Sequence, residues 1–385
     1  MTIFSCIGLA RFAYGMLLPS MAKALALGYD RMGFISTANF AGYMTAVGFA
    51  PFVMRRAGSR ATVTAGLIVV ALGMVALGSA SGFVPLLLFY TLTGIGSGLA
   101  NIPVMVLVSH WFTRSLRGRA AGIMVAGNGV AIVFVGLLVP RLNRALGDAG
   151  WRAGWWILGG LSVLVAVAAG LLIRNAPEDI GLKPCGEPDP AAAPRTGGGA
   201  AGRHILAHLG LLYLLFGATY TVYATFAVTS MVAERGLPEA SAGRFWSAVG
   251  FFSLFSGPLF GSLSDRIGRK WGIGVVFAVQ TVAYLLAGLP LGPWALAVSV
   301  VLFGLAAWSI PSIMAAAAGD YLGSSRAAAG FSAITFCLGG GQVAGPALAG
   351  VVAKGTGSFS AGFLMAAGAT AAAAILSMLL PKPPR

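Results

Sequence analysis

A single positive charge stands inside the long apolar stretch near the start of the 385-residue sequence. Arg11 lies about ten residues into that stretch, so in a helix rising about 1.5 Å per residue its guanidinium is about 15 Å deep. Burying such a charge in an apolar medium costs about 2.5–3.5 kcal/mol. Because a guanidinium fork matches a carboxylate, Arg11 predicts a binding site for an anionic ligand. The alternative is an arginine bonded by backbone carbonyls and water, or one that extends toward the aqueous boundary.

Polar and aromatic residues at helical spacing give further candidates for ligand binding. Tyr14 follows Arg11 by three residues, and Asn39 and Tyr43 are four apart, so each pair shares a helix face. Tyr220 and Tyr223 align in the same way farther along the chain. The alternative is that the tyrosines only pack, or anchor at a membrane interface, and that the asparagine joins two helices.

The elements that position these residues are membrane-spanning helices. Only 9% of the residues are charged and 58% are hydrophobic, whereas soluble domains have about a quarter of their residues charged. Stretches of about 20 apolar residues suffice to cross a bilayer. We expect the first of them to stay in the membrane, because no basic region and small-residue cleavage site mark a removable signal. Twelve stretches are predicted at 3–26, 33–54, 61–80, 83–108, 118–141, 153–174, 205–232, 241–262, 271–289, 292–317, 327–352 and 359–380.

A central segment divides these stretches into six and six. Residues 175–203 are rich in Pro, Gly and Ala and hold four of the ten acids, as a soluble linker would. The predicted organisation is therefore an N-terminal six-helix bundle at 1–174, a cytoplasmic linker at 175–203 and a C-terminal six-helix bundle at 204–385. Sixteen of the 25 basic residues fall on the side of both termini, which predicts cytoplasmic termini and explains the net charge of +15 without a nucleic-acid partner.

The two halves of the sequence resemble each other at an offset of about 207–210 residues. Arg119 to Gly122 matches Arg326 to Gly330, and the loop ending in Gly58 matches the loop ending in Gly268. The bundles are therefore predicted to be pseudo-symmetric.

One loop identifies a family. Residues 261–270 read GSLSDRIGRK, which resembles the GxxxDRxGRK loop of the major facilitator superfamily. The resemblance implies an all-α fold of twelve transmembrane helices and transport by alternating access. It also implies that this loop is a conformational latch; its candidate residues are Gly261, Asp265, Arg266, Gly268, Arg269 and Lys270. The first-half copy departs from the pattern, with Pro51 and Arg55 at the glycine and aspartate positions.

Shorter motifs narrow the resemblance. Residues 117–122, 150–152 and 176–182 are similar to the monocarboxylate and oxalate/formate branch, and residues 10–19 to a group of poorly characterised bacterial facilitators. That branch often has a functional arginine where this chain reads Phe255-Ser256-Gly257-Pro258, so its anion site is not transferred. The helices that line the cavity in the superfamily add five candidate substrate-binding residues: Asn101, Asn128, Trp246, Trp308 and Gln342.

The predicted function is secondary transport of a small organic solute, with a carboxylate anion favoured, across a bacterial inner membrane. The alternative is export of a neutral or hydrophobic compound. No enzyme motif is present, no cofactor is predicted, and the three Cys and three His residues complete no metal-ligand set. The expected partners are the substrate, membrane lipid, and a coupling proton or a counter-anion; the protein is predicted to act as a monomer. The substrate, the direction of transport and the coupling ion stay open.

Overall fold

The protein is almost entirely helical. The computed structural model describes residues 1–186, 201–323 and 326–381. A π-helical turn, Phe4–Leu9, leads into the first α-helix, and another, Ser230–Glu234, extends the sixth. The α-helices are α1 (Ala10–Ala24), α2 (Tyr29–Ser79), α3 (Phe83–Trp111), α4 (Arg114–Leu146), α5 (Gly150–Leu172), α6 (Ala201–Thr229), α7 (Glu239–Ile267), α8 (Arg269–Gly288), α9 (Pro293–Ala306), α10 (Ser309–Leu322), α11 (Ala327–Thr356) and α12 (Ser360–Met378).

In the described residues, ten helical segments are long and apolar enough to cross a membrane. Two of them exceed the length of one span: Tyr29–Ser79 has 51 residues and Leu116–Leu172 has 57. The first is interrupted at Gly58, whose backbone is not helical, and the second at the 3-10 turn Gly147–Ala149. The loops predicted at these two places are thus reduced to one glycine and one short turn. Conversely, the single stretch predicted at 292–317 is broken between α9 and α10.

The predicted linker is shorter than expected where it is described. Pro177–Ile180 form a 3-10 turn, and Cys185 pairs with Phe112 in an isolated bridge. The helix α6 begins at Ala201, so residues 201–203 of the predicted linker are helical. Residues 187–200 lie outside the described part of the chain.

Left-handed backbone positions repeat along the chain. Ala26 (φ +48°), Gly58 (φ +79°) and Gly147 (φ +57°) lie in the first half. Gly236 (φ +64°), Gly268 (φ +92°) and Gly357 (φ +74°) follow each of them at a distance of 210 residues. A left-handed residue sets the direction in which the chain leaves a helix. The matching turns therefore support the internal repeat predicted from the sequence.

The chain divides by its contacts into two compact units. The first consists of Met1–Ala192 and Leu237–Ser247, and the second of Ala193–Gly236 and Ala248–Arg385. In the first unit α2 packs along α3, and a Cβ added at Gly94 would lie 2.0 Å from the backbone oxygen of Asn39. In the second unit α6 packs along α11, where a Cβ at Gly341 would lie 2.1 Å from the oxygen of Leu214. Small residues thus bring helix backbones into direct contact, as is usual in membrane bundles.

Several arginines bond the free carbonyl groups at helix ends. Nη1 of Arg152 donates to the oxygens of Gly78 and Ala80 at the end of α2, at 2.9 and 2.8 Å. At the end of α3, Nε of Arg117 donates to the oxygen of Phe112 at 2.9 Å. The last carbonyls of a helix have no partner within it and carry partial negative charge. Part of the basic excess is therefore used to terminate helices.

Candidate functional site

The Arg11 guanidinium lies between two aromatic rings of α2. Its Cζ is 4.5 Å from the ring centroid of Phe40 and 4.8 Å from that of Tyr43. Nε and Nη2 of Arg11 are buried and have no hydrogen-bond partner. Among the described residues no carboxylate forms an ion pair with it. The cation is therefore held in place by ring faces, while donors of its fork stay unused.

A hydrogen-bond network from α2 and α3 surrounds this cation. Asn101 Nδ2 donates to the hydroxyl of Tyr43 at 2.7 Å. Tyr90 donates its hydroxyl proton to the backbone oxygen of Arg11 at 3.1 Å, and its own backbone oxygen accepts from Asn39 Nδ2 at 3.1 Å. Asn39 Oδ1 is buried without a donor. We refer to Arg11, Asn39, Phe40, Tyr43, Tyr90 and Asn101 as the Arg11 cluster.

The structure thus brings together four of the residues predicted from the sequence, Arg11, Asn39, Tyr43 and Asn101. Sequence reasoning missed Phe40 and Tyr90. Phe40 precedes Tyr43 by three residues, so the helical spacing that selected Asn39 could also have selected it. Tyr90 gave no comparable signal, because its partners, the backbone oxygen of Arg11 and the side-chain amide of Asn39, lie on two other helices.

The other predicted residues of the first unit have different surroundings. Tyr14 is 1% exposed, donates its hydroxyl proton to the oxygen of Met32 at 2.8 Å and stacks on Tyr90 at 4.8 Å. Its polar group is therefore used in packing. Asn128 and Trp246 are buried, and Asn128 Oδ1 and Trp246 Nε1 have no hydrogen-bond partner in the described structure. Neither side chain hydrogen-bonds to the Arg11 cluster, and their substrate-binding role stays a prediction.

A second polar cluster lies within the second unit. Gln342 Nε2 of α11 donates to the hydroxyl of Tyr220 on α6 at 2.7 Å. The Tyr220 ring meets the edge of Trp308, which stands at the break between α9 and α10, at 6.2 Å. Three predicted residues from separate elements therefore meet. Tyr223 does not join them, because its hydroxyl shares a hydrogen bond with Ser299 Oγ at 2.9 Å and its ring stacks on Phe303 at 4.0 Å.

The predicted latch loop is built around Arg269. Its Nη1 bonds Asp265 Oδ1 at 2.5 Å and its Nε bonds Asp320 Oδ2 at 2.6 Å. Gly268, with φ +92°, ends α7 and turns the chain so that Arg269 begins α8. Asp265 therefore pairs with an arginine of the same loop. Asp320, at the end of α10, was not among the residues predicted from the sequence.

The remaining latch residues make fewer contacts. A Cβ added at Gly261 would meet nothing within 4 Å in the described structure, so no close approach of two helices occurs at this glycine. It occurs instead at Gly272, where a Cβ would lie 2.5 Å from that of Ser264. Arg266 is exposed, and Lys270 Nζ lies 5.6 Å from the ring centroid of Trp271.

An apolar cavity of about 440 Å³ lies between the end of α3 and the start of α4. The cavity is lined by Val108, Phe112, Leu116, Arg119, Ala120, Ile123 and Met124, of which Arg119 is the one charged residue.

The described residues contain no group of three or more His, Cys, Asp or Glu side chains that could hold a metal ion.

Comparison with known proteins agrees with this arrangement. The family model described as "Uncharacterised MFS-type transporter YbfB" matches residues 3–378. Human monocarboxylate transporter 2 is 25% identical over 376 residues, covering 91% of this chain and 77% of that protein. A putative tartrate transporter of Agrobacterium vitis is 23% identical over 299 residues, covering 72% of this chain and 67% of that protein.

The fold has a close match among solved structures. A bacterial homologue of the human lysosomal transporter Spinster aligns with a TM-score of 0.73 at 16% identity, covering 98% of this chain and 93% of that chain. The predicted superfamily and its monocarboxylate branch are confirmed, and the family consists of transporters rather than enzymes. The match to the family model spans almost the whole chain, so this protein belongs to the MFS-type transporter family.

Proposed function

We propose that this protein is a secondary transporter that moves a small organic anion across the membrane by alternating access, and that Arg11 binds the carboxylate of the substrate. The observation on which the proposal rests is the buried guanidinium of Arg11, with Nε and Nη2 unbonded and the ion fixed between Phe40 and Tyr43. A buried donor without a partner costs about 1–3 kcal/mol, and more when it is charged. A carboxylate accepting from the fork removes that cost, which gives selectivity for anions.

The neighbouring groups fit a carboxylate ligand. The rings of Phe40 and Tyr43 hold the guanidinium by its face, so the N–H groups at its edge are free to donate in the plane of the fork. The hydroxyl of Tyr43 accepts a hydrogen bond from Asn101 Nδ2, which holds the Tyr43 ring in place over the guanidinium. Two relatives, a monocarboxylate transporter and a putative tartrate transporter, are named for substrates of the same chemical class.

The membrane arrangement completes the proposal. Each of the two overlong segments bends once, at Gly58 and at Gly147–Ala149, so ten segments supply twelve crossings. With both termini cytoplasmic in a bacterial inner membrane, the loop of Asp265 and Arg269 faces the cytoplasm. There it acts as a conformational latch, because Arg269 ties the α7–α8 turn to the end of α10 through Asp320. Within the second unit, Tyr220, Trp308 and Gln342 are the proposed substrate-binding residues.

Flux into proteoliposomes tests the role of Arg11. Uptake of a radiolabelled monocarboxylate or dicarboxylate is expected for the wild type and is expected to fall at least tenfold in Arg11→Gln. Arg141→Gln is the matched control, because Arg141 is an exposed arginine of the same unit. Unchanged anion flux in Arg11→Gln, with the protein folded as judged by its melting temperature, would refute the assignment.

A second candidate is export of a neutral or hydrophobic compound. The observation that favours it is the apolar cavity of about 440 Å³ at the end of α3, a size suited to small ligands. Filling it with Ile123→Trp would abolish hydrophobic export while leaving carboxylate flux intact. A resistance phenotype lost in Ile123→Trp and kept in Arg11→Gln would decide for this second function.

A further inference from the structure

A carboxylate and a carboxamide meet where α7 begins. Asn143 Nδ2 of α4 donates to Glu239 Oε1, the first residue of α7, and also to Ser20 Oγ of α1 at 3.1 Å. Asn143 Oδ1 is buried and receives no hydrogen bond. The start of α7, residues Leu237–Ser247, belongs to the same compact unit as α1 and α4. The amide nitrogen thus donates to two oxygens, one of them from Glu239, while the amide oxygen lies near Gly150 without a hydrogen-bond donor.

Close backbone packing fixes Glu239 at this place. A Cβ added at Gly243 would lie 2.4 Å from the backbone oxygen of Gly136 on α4. One turn farther along α7, Ser247 Oγ donates to the oxygen of Val133 at 3.1 Å. Glu239 therefore stands on a helix start that is held against α4, and its carboxyl group stays beside Asn143.

No charge compensates the Glu239 carboxylate. The charged side chains near the ends of α1 and α4, in the turn after α4 and near the start of α7 are exposed, and none of them forms an ion pair with Glu239 in the described structure. The one hydrogen bond found to its carboxyl group comes from Asn143. Those surrounding charged residues are Lys23 of α1, Arg141 and Arg144 of α4, Asp148 of the following turn and Arg244 of α7.

We propose that Glu239 is a proton-binding site, in which the protonated carboxyl group donates its O–H to Asn143 Oδ1. Asn143 and Glu239 are then joined by two hydrogen bonds: the amide N–H of Asn143 donates to one carboxyl oxygen of Glu239, and the carboxyl O–H of Glu239 donates to the amide oxygen of Asn143. The proton comes from water and no other bond changes. Because no counter-charge compensates this half-buried carboxylate, the carboxyl group takes up its proton on acidification.

This site supplies the coupling ion for the proposed anion transport, and only that role rests on the proposed function. With the termini cytoplasmic, the end of α1 and the start of α7 lie at the outer face, where the proton would enter with the substrate. The symport would leave net charge nearly unchanged, because the anion and the proton cross together.

Infrared difference spectroscopy of the purified protein on acidification tests the site without any transport. The wild type is expected to show the carbonyl stretch of a newly protonated carboxyl group, and Glu239→Gln is expected to lack it. Glu178→Gln, which changes an exposed acid of the same unit, is expected to keep the band. The same band in wild type and Glu239→Gln would overturn the proposal.

Thermal unfolding supplies an independent readout. Protonation adds a hydrogen bond in the folded state, so the folded protein binds more protons than the unfolded chain, and its melting temperature rises on acidification. Glu239→Gln carries an amide N–H in place of the acid O–H, so this rise, measured against Glu178→Gln, is expected to vanish. A rise of the same size in Glu239→Gln would contradict the proposal.

Flux measurements separate the two proposals. Glu239→Gln is expected to retain anion exchange and to lose accumulation driven by a proton gradient. Absence of any anion flux in the wild type would refute the proposed function, while the infrared result would still decide whether Glu239 binds a proton. Proton-driven accumulation that persists in Glu239→Gln would exclude it as the coupling site.

Discussion

The latch loop permits a quantitative prediction, because Arg269 bonds two aspartates that differ in exposure. The Arg269 side chain is 16% exposed, whereas Asp320 is 43% and Asp265 is 64% exposed. Exposed ion pairs contribute about 0.2–1 kcal/mol, and hydrogen bonds to charged groups in more sheltered places about 1.5–3 kcal/mol. We therefore expect Asp320→Asn to lower the free energy of unfolding by about 1–2 kcal/mol and Asp265→Asn by less than about 1 kcal/mol.

The measurement is reversible unfolding in detergent of the wild type, the two single variants and the double variant. Because both aspartates share one guanidinium, the single effects should not add, and the cycle should show a coupling of about 0.5 kcal/mol or more. Arg269→Lys should cost at least as much as Asp320→Asn, since one ammonium cannot reproduce bonds made separately by Nε and Nη1. A larger effect for Asp265→Asn, or strict additivity, would refute this reasoning.

Three other substitutions test the fold. Ala26→Gly should raise the free energy of unfolding by about 0.5–1 kcal/mol, because Ala26 has φ +48° where its repeat partner, Gly236, is a glycine. Gly236→Ala should lower the free energy of unfolding for the same reason. Equal stability of the two variants in chemical denaturation would show that the backbone of Ala26 is not strained. Arg152→Ala should lower the free energy of unfolding by about 1.5–3 kcal/mol, because two carbonyls at the end of α2 lose their hydrogen-bond donor. The control Arg141→Ala should lower it by less than about 0.5 kcal/mol. Equal melting temperatures of the two variants would contradict this prediction. Gly94→Val should severely reduce the yield of folded protein, because even a Cβ at this position would lie 2.0 Å from the α2 backbone. A normal yield on size-exclusion chromatography would show that α2 and α3 are not in contact.

The fold was largely predictable from the sequence because membrane helices are marked by length and hydrophobicity alone. The repeat was visible for a related reason, since residues such as Gly58 and Gly268 must adopt the same left-handed backbone conformation in both halves. The breaks inside long helices were less predictable. The loop around Arg55 contracts to one glycine because the chain needs a single non-helical residue to change direction.

The candidate site was predictable where an isolated charge or helical spacing marks the residues, as at Arg11, and where the resemblance names the helices that line the cavity, as for Asn101. Asn39 and Tyr43 follow that spacing, and both join the Arg11 cluster. The pairing of Arg269 with Asp320 spans 51 residues and depends on how α7, α8 and α10 pack, which no local pattern encodes. The meeting of Asn143 with Glu239 is of the same kind, because the two residues lie 96 apart on separate helices.

The central claim, that the Arg11 guanidinium binds a carboxylate, is tested most directly by ligand-induced stabilisation of the purified protein. A small monocarboxylate series and the matching neutral amides would be compared on the wild type, Arg11→Lys and Arg11→Gln. We expect the carboxylates, and not the amides, to raise the melting temperature of the wild type. The same carboxylates should raise the melting temperature of Arg11→Lys only weakly and should leave that of Arg11→Gln unchanged. Equal stabilisation of Arg11→Gln and the wild type by a carboxylate, or equal stabilisation of the wild type by the amides, would contradict the claim.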